Sequence, residues 1–179
     1  GAASGPGVIE ARYLRQFQMH GSIGPSCALA LHRDGNLTVW THSQGVYPLQ
    51  RAIAQMLVMD PSRVRCIHME GAGCYGHNGA DGAAADAALI AVAVTGRPVR
   101  VQWVRQDEHR WEPYGAAMVS AARARLEGGR VRAFRYDVWS NSHNERPGPA
   151  GNLLPALHLQ RPFRKPRPRP IPQPTGGGD

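Results

Sequence analysis

The chain has 179 residues, 42% hydrophobic and 19% charged, which suits one folded domain with its own core. Its net charge is +8, but Arg161, Arg164, Lys165, Arg167 and Arg169 crowd one proline-rich stretch with a single aromatic, Phe163, and not the repeated aromatics of a single-strand binder, so nucleic acid is not an expected partner. No apolar run approaches the roughly 18–20 residues of a membrane span, and Gly1–Gly7 has no basic-then-apolar order, so no secretory signal is visible. A first residue other than Met suggests a processed, tagged or truncated product.

In chain order, residues 8–18 (VIEARYLRQFQ) have the β-branched and aromatic character of a strand. CALALHR (27–33) and LTVWTH (37–42) flank Asp34-Gly35-Asn36, a strong hairpin signal. From Val46 the period changes: apolar residues at 46, 49, 53, 56 and 57 predict an amphipathic helix, with Pro48 tolerated in its first turn and Asp60-Pro61-Ser62 stopping it. Residues 63–69 alternate as a strand. A glycine-rich loop follows, then a helix over Asp81–Val94. Thr95-Gly96-Arg97-Pro98 turns the chain into a strand over 99–104. Residues 116–126 and 130–139 form a second hairpin around Gly128-Gly129. The expected fold is α+β: a mixed sheet with hairpins and two helices, over residues 1–144. Residues 145–179 hold nine prolines and no periodicity, and predict an extended, polyproline-like connecting segment.

Cys27, Cys66 and Cys74 make an odd, widely spaced set without CxxC, which argues against a disulfide framework and against an iron–sulfur cluster. The eight histidines form no HxxH or HxxxH pair of the kind a zinc site uses. His42, His68, His77, His109 and His143 read as surface or structural histidines, and Asp107-Glu108 as a local cap or salt-bridge site.

The informative stretch is EGAGCYGHNGADGAAADAAL, residues 70–89, whose Gly71, Gly73 and Gly76 spell GxGxxG. A dinucleotide fold would need a continuous apolar strand before it and an acidic residue about 20 positions on. Here the strand is RVRCIHME, and counting on from Gly76 reaches Thr95-Gly96-Arg97. Both conditions fail. What survives is a loop whose bare backbone admits close approach and whose successive N–H groups favour an anion; the alternative is a tight strand-to-helix turn without a ligand, against which stand the polar and reactive Cys74, Tyr75, His77 and Asn78 between and after the glycines.

Taken together, VWTHSQGVYPLQRAIAQML, EGAGCYGHNGADGAAADAAL and GRPVRVQWVRQDE resemble the molybdopterin-binding large subunit of the xanthine dehydrogenase and aldehyde oxidase family. The nearest branch is the isoquinoline 1-oxidoreductase and nicotinate dehydrogenase type, and NLLPALHLQRPF and the terminal GGGD extend the likeness. The resemblance implies oxidative hydroxylation of N-heterocycles or aldehydes with oxygen from water, at a molybdenum held by a pterin (as a cytosine dinucleotide) and not by protein ligands. It implies a cofactor-binding set of Gln44, whose amide would donate to the molybdenum oxo ligand, with Gly71, Gly73, Cys74, Tyr75 and Gly76 lying against the pterin. Cys74 and Tyr75 stand where the family usually has Phe and Gly. Asn78 falls at a substrate-facing position where the xanthine enzymes have a glutamate, and an amide cannot exchange protons as a carboxylate does, so xanthine is not an expected substrate. The family's general base lies in a part of the subunit not matched here, so no catalytic residue is expected in this chain and the isolated polypeptide is expected to be inactive. Implied partners are the rest of the large subunit, a small [2Fe–2S] subunit and a downstream acceptor such as a cytochrome, in a prokaryotic cytoplasm or periplasm. The alternative is a cofactor-free basic binding or scaffold domain.

Overall fold

The computed structural model describes residues 5–141 and 146–167; His143 and the terminal GGGD lie outside them. The chain forms two units. Among the described residues, one comprises residues 5–18 with the second hairpin from 115; the other comprises residues 19–114 with the segment from 146 to 167.

The larger unit is built on a four-stranded sheet in the order β4-β3-β2-β5. Strands β2 (Cys27–Arg33) and β3 (Asn36–Thr41) form the expected hairpin. Asp34 and Gly35 both take positive φ, 51° and 71°, the twist that a two-residue turn between right-handed strands requires. Helix α1 (Val46–Leu57) crosses from β3 to β4 (Val64–His68), which therefore pair in parallel. Its apolar stripe buries Leu49, Ile53 and Met56. The helix ends one turn before the expected stop: Val58 adopts φ 54° and its N–H closes back on the Ala54 and Gln55 carbonyls. Asp60 instead caps a short 3-10 turn, accepting from Ser62.

Helix α2 (Ala80–Ala93) is buried on nearly every side, between the sheet, α1 and the segment around residue 155. Alanine makes this possible, because a helix without bulky side chains can lie close on all its neighbours. β5 (Pro98–Gln102) pairs antiparallel with β2. Leu37, Val39, Ala28 and Ala30 line the helix-facing side of the sheet and are essentially inaccessible.

Two expectations are corrected. There are three helices among the described residues, not two: RQDEHRW forms α3 (Arg105–Trp111), seeded by Asp107, whose carboxylate accepts the Val104 N–H at 2.9 Å. The extended course expected after residue 144 is also replaced, within the described part, by 3-10 turns at Ala150–Asn152 and Pro155–Leu157. Ala150, Leu153 and Ala156 recur every third residue, matching a 3-10 period, and join the hydrophobic core. The Ala150 N–H donates to Gln55 Oε1 at 2.8 Å, fixing this segment on α1.

The smaller unit is an antiparallel sheet in the order β1-β6-β7, from Val8–Arg15, Met118–Glu127 and Arg130–Ser140. No helix of the described residues is long and apolar enough to cross a membrane.

Candidate functional site

Parallel pairing decides where the site forms. The register Thr41↔His68 puts the carboxyl ends of β3 and β4 on one edge, so the chain after Thr41 and the chain after His68 emerge side by side. Such edges are where mixed and parallel sheets present ligand-binding loops. The Met69 N–H extends the pairing by donating to the Thr41 carbonyl at 2.8 Å, and His68 Nδ1 lies 3.0 Å from the Ser43 carbonyl. A carbonyl only accepts, so Nδ1 carries the hydrogen. Buried Ser43 then holds its own turn through Oγ, which accepts from the Gly45 N–H. These bonds leave Gln44 exposed at the tip of the turn.

The loop itself, residues 70–79, is half open. Gly71 and Tyr75 are exposed; Gly73, Cys74, Gly76 and His77 are half-buried; Asn78 is buried. Three of its carbonyls are taken: the Gly24 N–H donates to Ala72, the Cys74 thiol to Gly76 and His20 to His77. Its amides are not. Among the described residues no amide from 71 to 78 donates a hydrogen bond to the protein. A run of undirected N–H groups at an exposed turn suits a polar or anionic ligand group, which is the fit a pterin with its phosphate would require.

The glycines have a second cause that the sequence did not reveal. A Cβ on Gly71 would lie 2.8 Å from the His42 side chain, one on Gly73 would meet the Tyr75 ring at 2.7 Å, and one on Gly76 would collide with the His20 ring. On these sides the bare backbone admits the protein's own rings and not a ligand. Gly76 also has φ 141°, a conformation closed to other residues.

His42 is kept a neutral imidazole. Burial pushes its pKa down against the opposing charges of Glu108 and Asp81, and Nε2 accepts the Cys27 N–H at 3.4 Å. Burial and the Asp81 charge push the Cys66 thiol up to about 12, so it reacts slowly while the fold around it stays closed. Asn78 spends Oδ1 on the start of α2, accepting the Ala80 N–H at 3.1 Å, while its Nδ2 has no partner among the described residues. It borders a cavity of about 280 Å³ together with His77, Asp81, Trp103, Glu112 and Tyr114. Gly71 borders a different, wider groove of about 1080 Å³ along the open face of the sheet, with Leu29, Trp40, His42, Arg100 and Trp103. Among the described residues no three of His, Cys, Asp or Glu converge as metal ligands.

Three residues that the sequence did not single out for this role hold the region together. Trp103 presses on Gly79 and Gly82 and bonds the Asp86 carboxylate. Glu108, expected from sequence as a cap or salt-bridge site, makes no ion pair among the described residues; it is wholly buried and accepts the Ser26 N–H. Glu112, one helical turn on, accepts from His20 and Gly21. Burial, more than the neighbouring Glu108, drives the Glu112 pKa up, against the His20 N–H that favours its ionised form. An acidic pair four residues apart on a short helix reads as a solvated face, so nothing in the sequence marked these carboxylates as buried.

A strand–helix–strand edge with an exposed amide turn and a glycine loop of undirected N–H groups has the chemistry to receive a polar cofactor. Residues 1–164 match the molybdopterin cofactor-binding domain model, and the chain belongs to that family. It is 43% identical over 139 residues to a subunit of the nicotinate dehydrogenase of Pseudomonas putida, a match that covers 77% of this chain and 12% of that one. The fold is that of the aldehyde oxidoreductase of Desulfovibrio gigas (TM-score 0.66, 22% identity, 77% of this chain and 15% of that one). It is also that of quinoline 2-oxidoreductase from Pseudomonas putida 86 (TM-score 0.61, 18% identity, 76% and 18%). The chain thus spans less than a fifth of the length of these relatives.

Proposed function

We propose that the chain is a segment of the molybdopterin-binding portion of a molybdenum hydroxylase large subunit, acting on an N-heterocycle or aldehyde. The observation that supports this reading is the shared edge: the strand that leads to Gln44 and the strand that leads to the glycine loop end together, at Thr41 and His68, in a chain whose family binds molybdopterin. When bound, the cofactor supplies a redox centre that takes two electrons from the substrate while oxygen from water is added. The chain's own residues bind and orient. The amides of Gly71, Gly73, Cys74, Tyr75 and Gly76 would donate to the pterin side, and Gln44 Nε2 would donate toward developing negative charge. A fixed neutral donor of this kind costs no reorganisation as charge moves. Asn78, at the loop's buried end, offers Nδ2 as a donor and has no acidic proton, which disfavours a purine substrate.

No residue here is assigned as general base, and the isolated chain is expected not to turn over substrate. The cofactor is proposed as the cytosine dinucleotide form. The proposed partners are the rest of the large subunit, a small subunit carrying the [2Fe–2S] clusters, and a cytochrome-like acceptor. Elemental analysis for molybdenum tests the reading. Metal in the complex formed with the neighbouring polypeptides and none in the chain alone is the expected result; no molybdenum in either would overturn it. Gln44→Ala in the complex is expected to lower kcat by roughly 10²–10³, the size seen when one preorganised donor is removed.

A further inference from the structure

His20 lies between β1 and β2, far in sequence from everything it touches. Its backbone N–H donates to Glu112 Oε1 at 2.5 Å, and the Gly21 N–H reaches the same oxygen at 3.4 Å. Its ring Nδ1, 4.0 Å from that carboxylate, is 3.0 Å from the His77 carbonyl. The carbonyl can only accept, so Nδ1 is the protonated nitrogen. The other edge of the ring fills the space a Cβ on Gly76 would need. One side chain therefore grips two successive residues of the glycine loop. Beyond them, His77 Nε2 is tied to Asp81 Oδ2 at 2.8 Å, so the loop is held from α2 as well.

We propose that His20, anchored by Glu112, is a positioning residue that sets the course of the glycine loop and so the direction of its free amides. The use of those amides by a ligand rests on the function proposed above, whereas the course of the loop concerns this chain alone. His20 touches no substrate in this role; it acts through Gly76 and His77.

The test reads the loop through Cys74, whose thiol donates to the Gly76 carbonyl at 2.9 Å. Iodoacetamide is applied to the 179-residue chain and alkylation is followed site by site by mass spectrometry. Cys66, in β4 of the same unit, is the reference for the fold as a whole. In His20→Leu the ring donor is lost, and in Glu112→Ala its anchor; each is expected to raise the Cys74 rate roughly tenfold, as loss of one ordinary hydrogen bond does to a local opening. The Cys66 rate should not move. His20→Asn, whose Nδ2 reaches where Nδ1 stood, should return Cys74 to near the original rate. An unchanged Cys74 rate in His20→Leu, a parallel rise at Cys66, or His20→Asn reacting as fast as His20→Leu each overturns the proposal. Should His20→Leu fail to fold, Glu112→Ala against Glu112→Gln asks the same question, since glutamine keeps the accepting Oε1. Molybdenum missing from the unsubstituted complex would strike the function proposed above and leave the thiol rates to judge the clamp.

Discussion

The two sheets follow the same alternation and meet different fates. In β4-β3-β2-β5 the apolar face, with Leu37 and Val39 at 0% exposure, is sealed by α1 and α2. In β1-β6-β7 the pairing puts Ile9, Tyr13, Phe134, Tyr136 and Val138 on one face around small Ser120, Ala122 and Ala124. The other face carries Glu10, Arg12, Arg123, Arg135 and Asp137. Yet Phe134 is 65% exposed and Tyr13 59%. Alternation decides which face a side chain joins; it does not supply the layer that buries it. The first sheet is stabilised by burial, the second by its ladder and by contacts within a face, such as the stacked rings of Phe134 and Tyr136.

That contrast can be broken with substitutions of matched chemistry. Ile53→Ala, in the sealed core, should cost about 2–5 kcal/mol in urea unfolding of the full chain. Tyr136→Ala, on the open face, should cost about 1 kcal/mol or less by the same measurement. Comparable losses at both positions would mean that the open face is covered in solution. Glu108→Ala should fall between them, at about 1–3 kcal/mol, because it leaves the Ser26 N–H buried without its acceptor.

Titration sharpens the same comparison, since the carboxylates held up by burial, Asp86 and Glu112, lie in the larger unit. Burial raises both, against a bond from Trp103 at Asp86 and the His20 N–H at Glu112. A carboxyl whose folded pKa exceeds its unfolded one binds its proton more tightly when folded. Its contribution is therefore full below the ordinary carboxylate range and is lost as pH rises through the raised value. Urea midpoints of the larger unit should fall as pH rises through that window, and Asp86→Asn with Glu112→Gln should flatten the fall. The smallest effect belongs to the smaller unit: Glu10→Ala breaks a half-exposed pair with Arg123 at 2.9 Å and should cost about 0.5 kcal/mol or less, vanishing with added salt.

Much of the fold was legible because its signals are local. The Asp34-Gly35 turn, the 3-and-4 spacing of α1 and the period-2 strands each sit within a dozen residues. α3 was not, since RQDEHRW offers no apolar stripe and is buried through its carboxylates. The glycine pattern was visible, but the rings of His20 and His42 that fill its spaces were not. His20 meets His77 across 57 residues and Glu112 across 92, and no spacing rule spans such distances. The 3-10 turns after residue 149 were hidden by prolines that disguise a threefold apolar repeat.

The alanines of α2 have a thermodynamic consequence. Ala83, Ala84, Ala85, Ala87, Ala88 and Ala91 are wholly inaccessible, yet an alanine has no rotamers to surrender when it is enclosed. Ordering this helix costs backbone freedom almost alone. A leucine at any of these sites would bring roughly 0.5–1 kcal/mol of side-chain entropy loss in addition to its volume. The glycine loop runs directly into α2, so its downstream end is moored to a helix whose enclosed alanines surrender no side-chain freedom on folding.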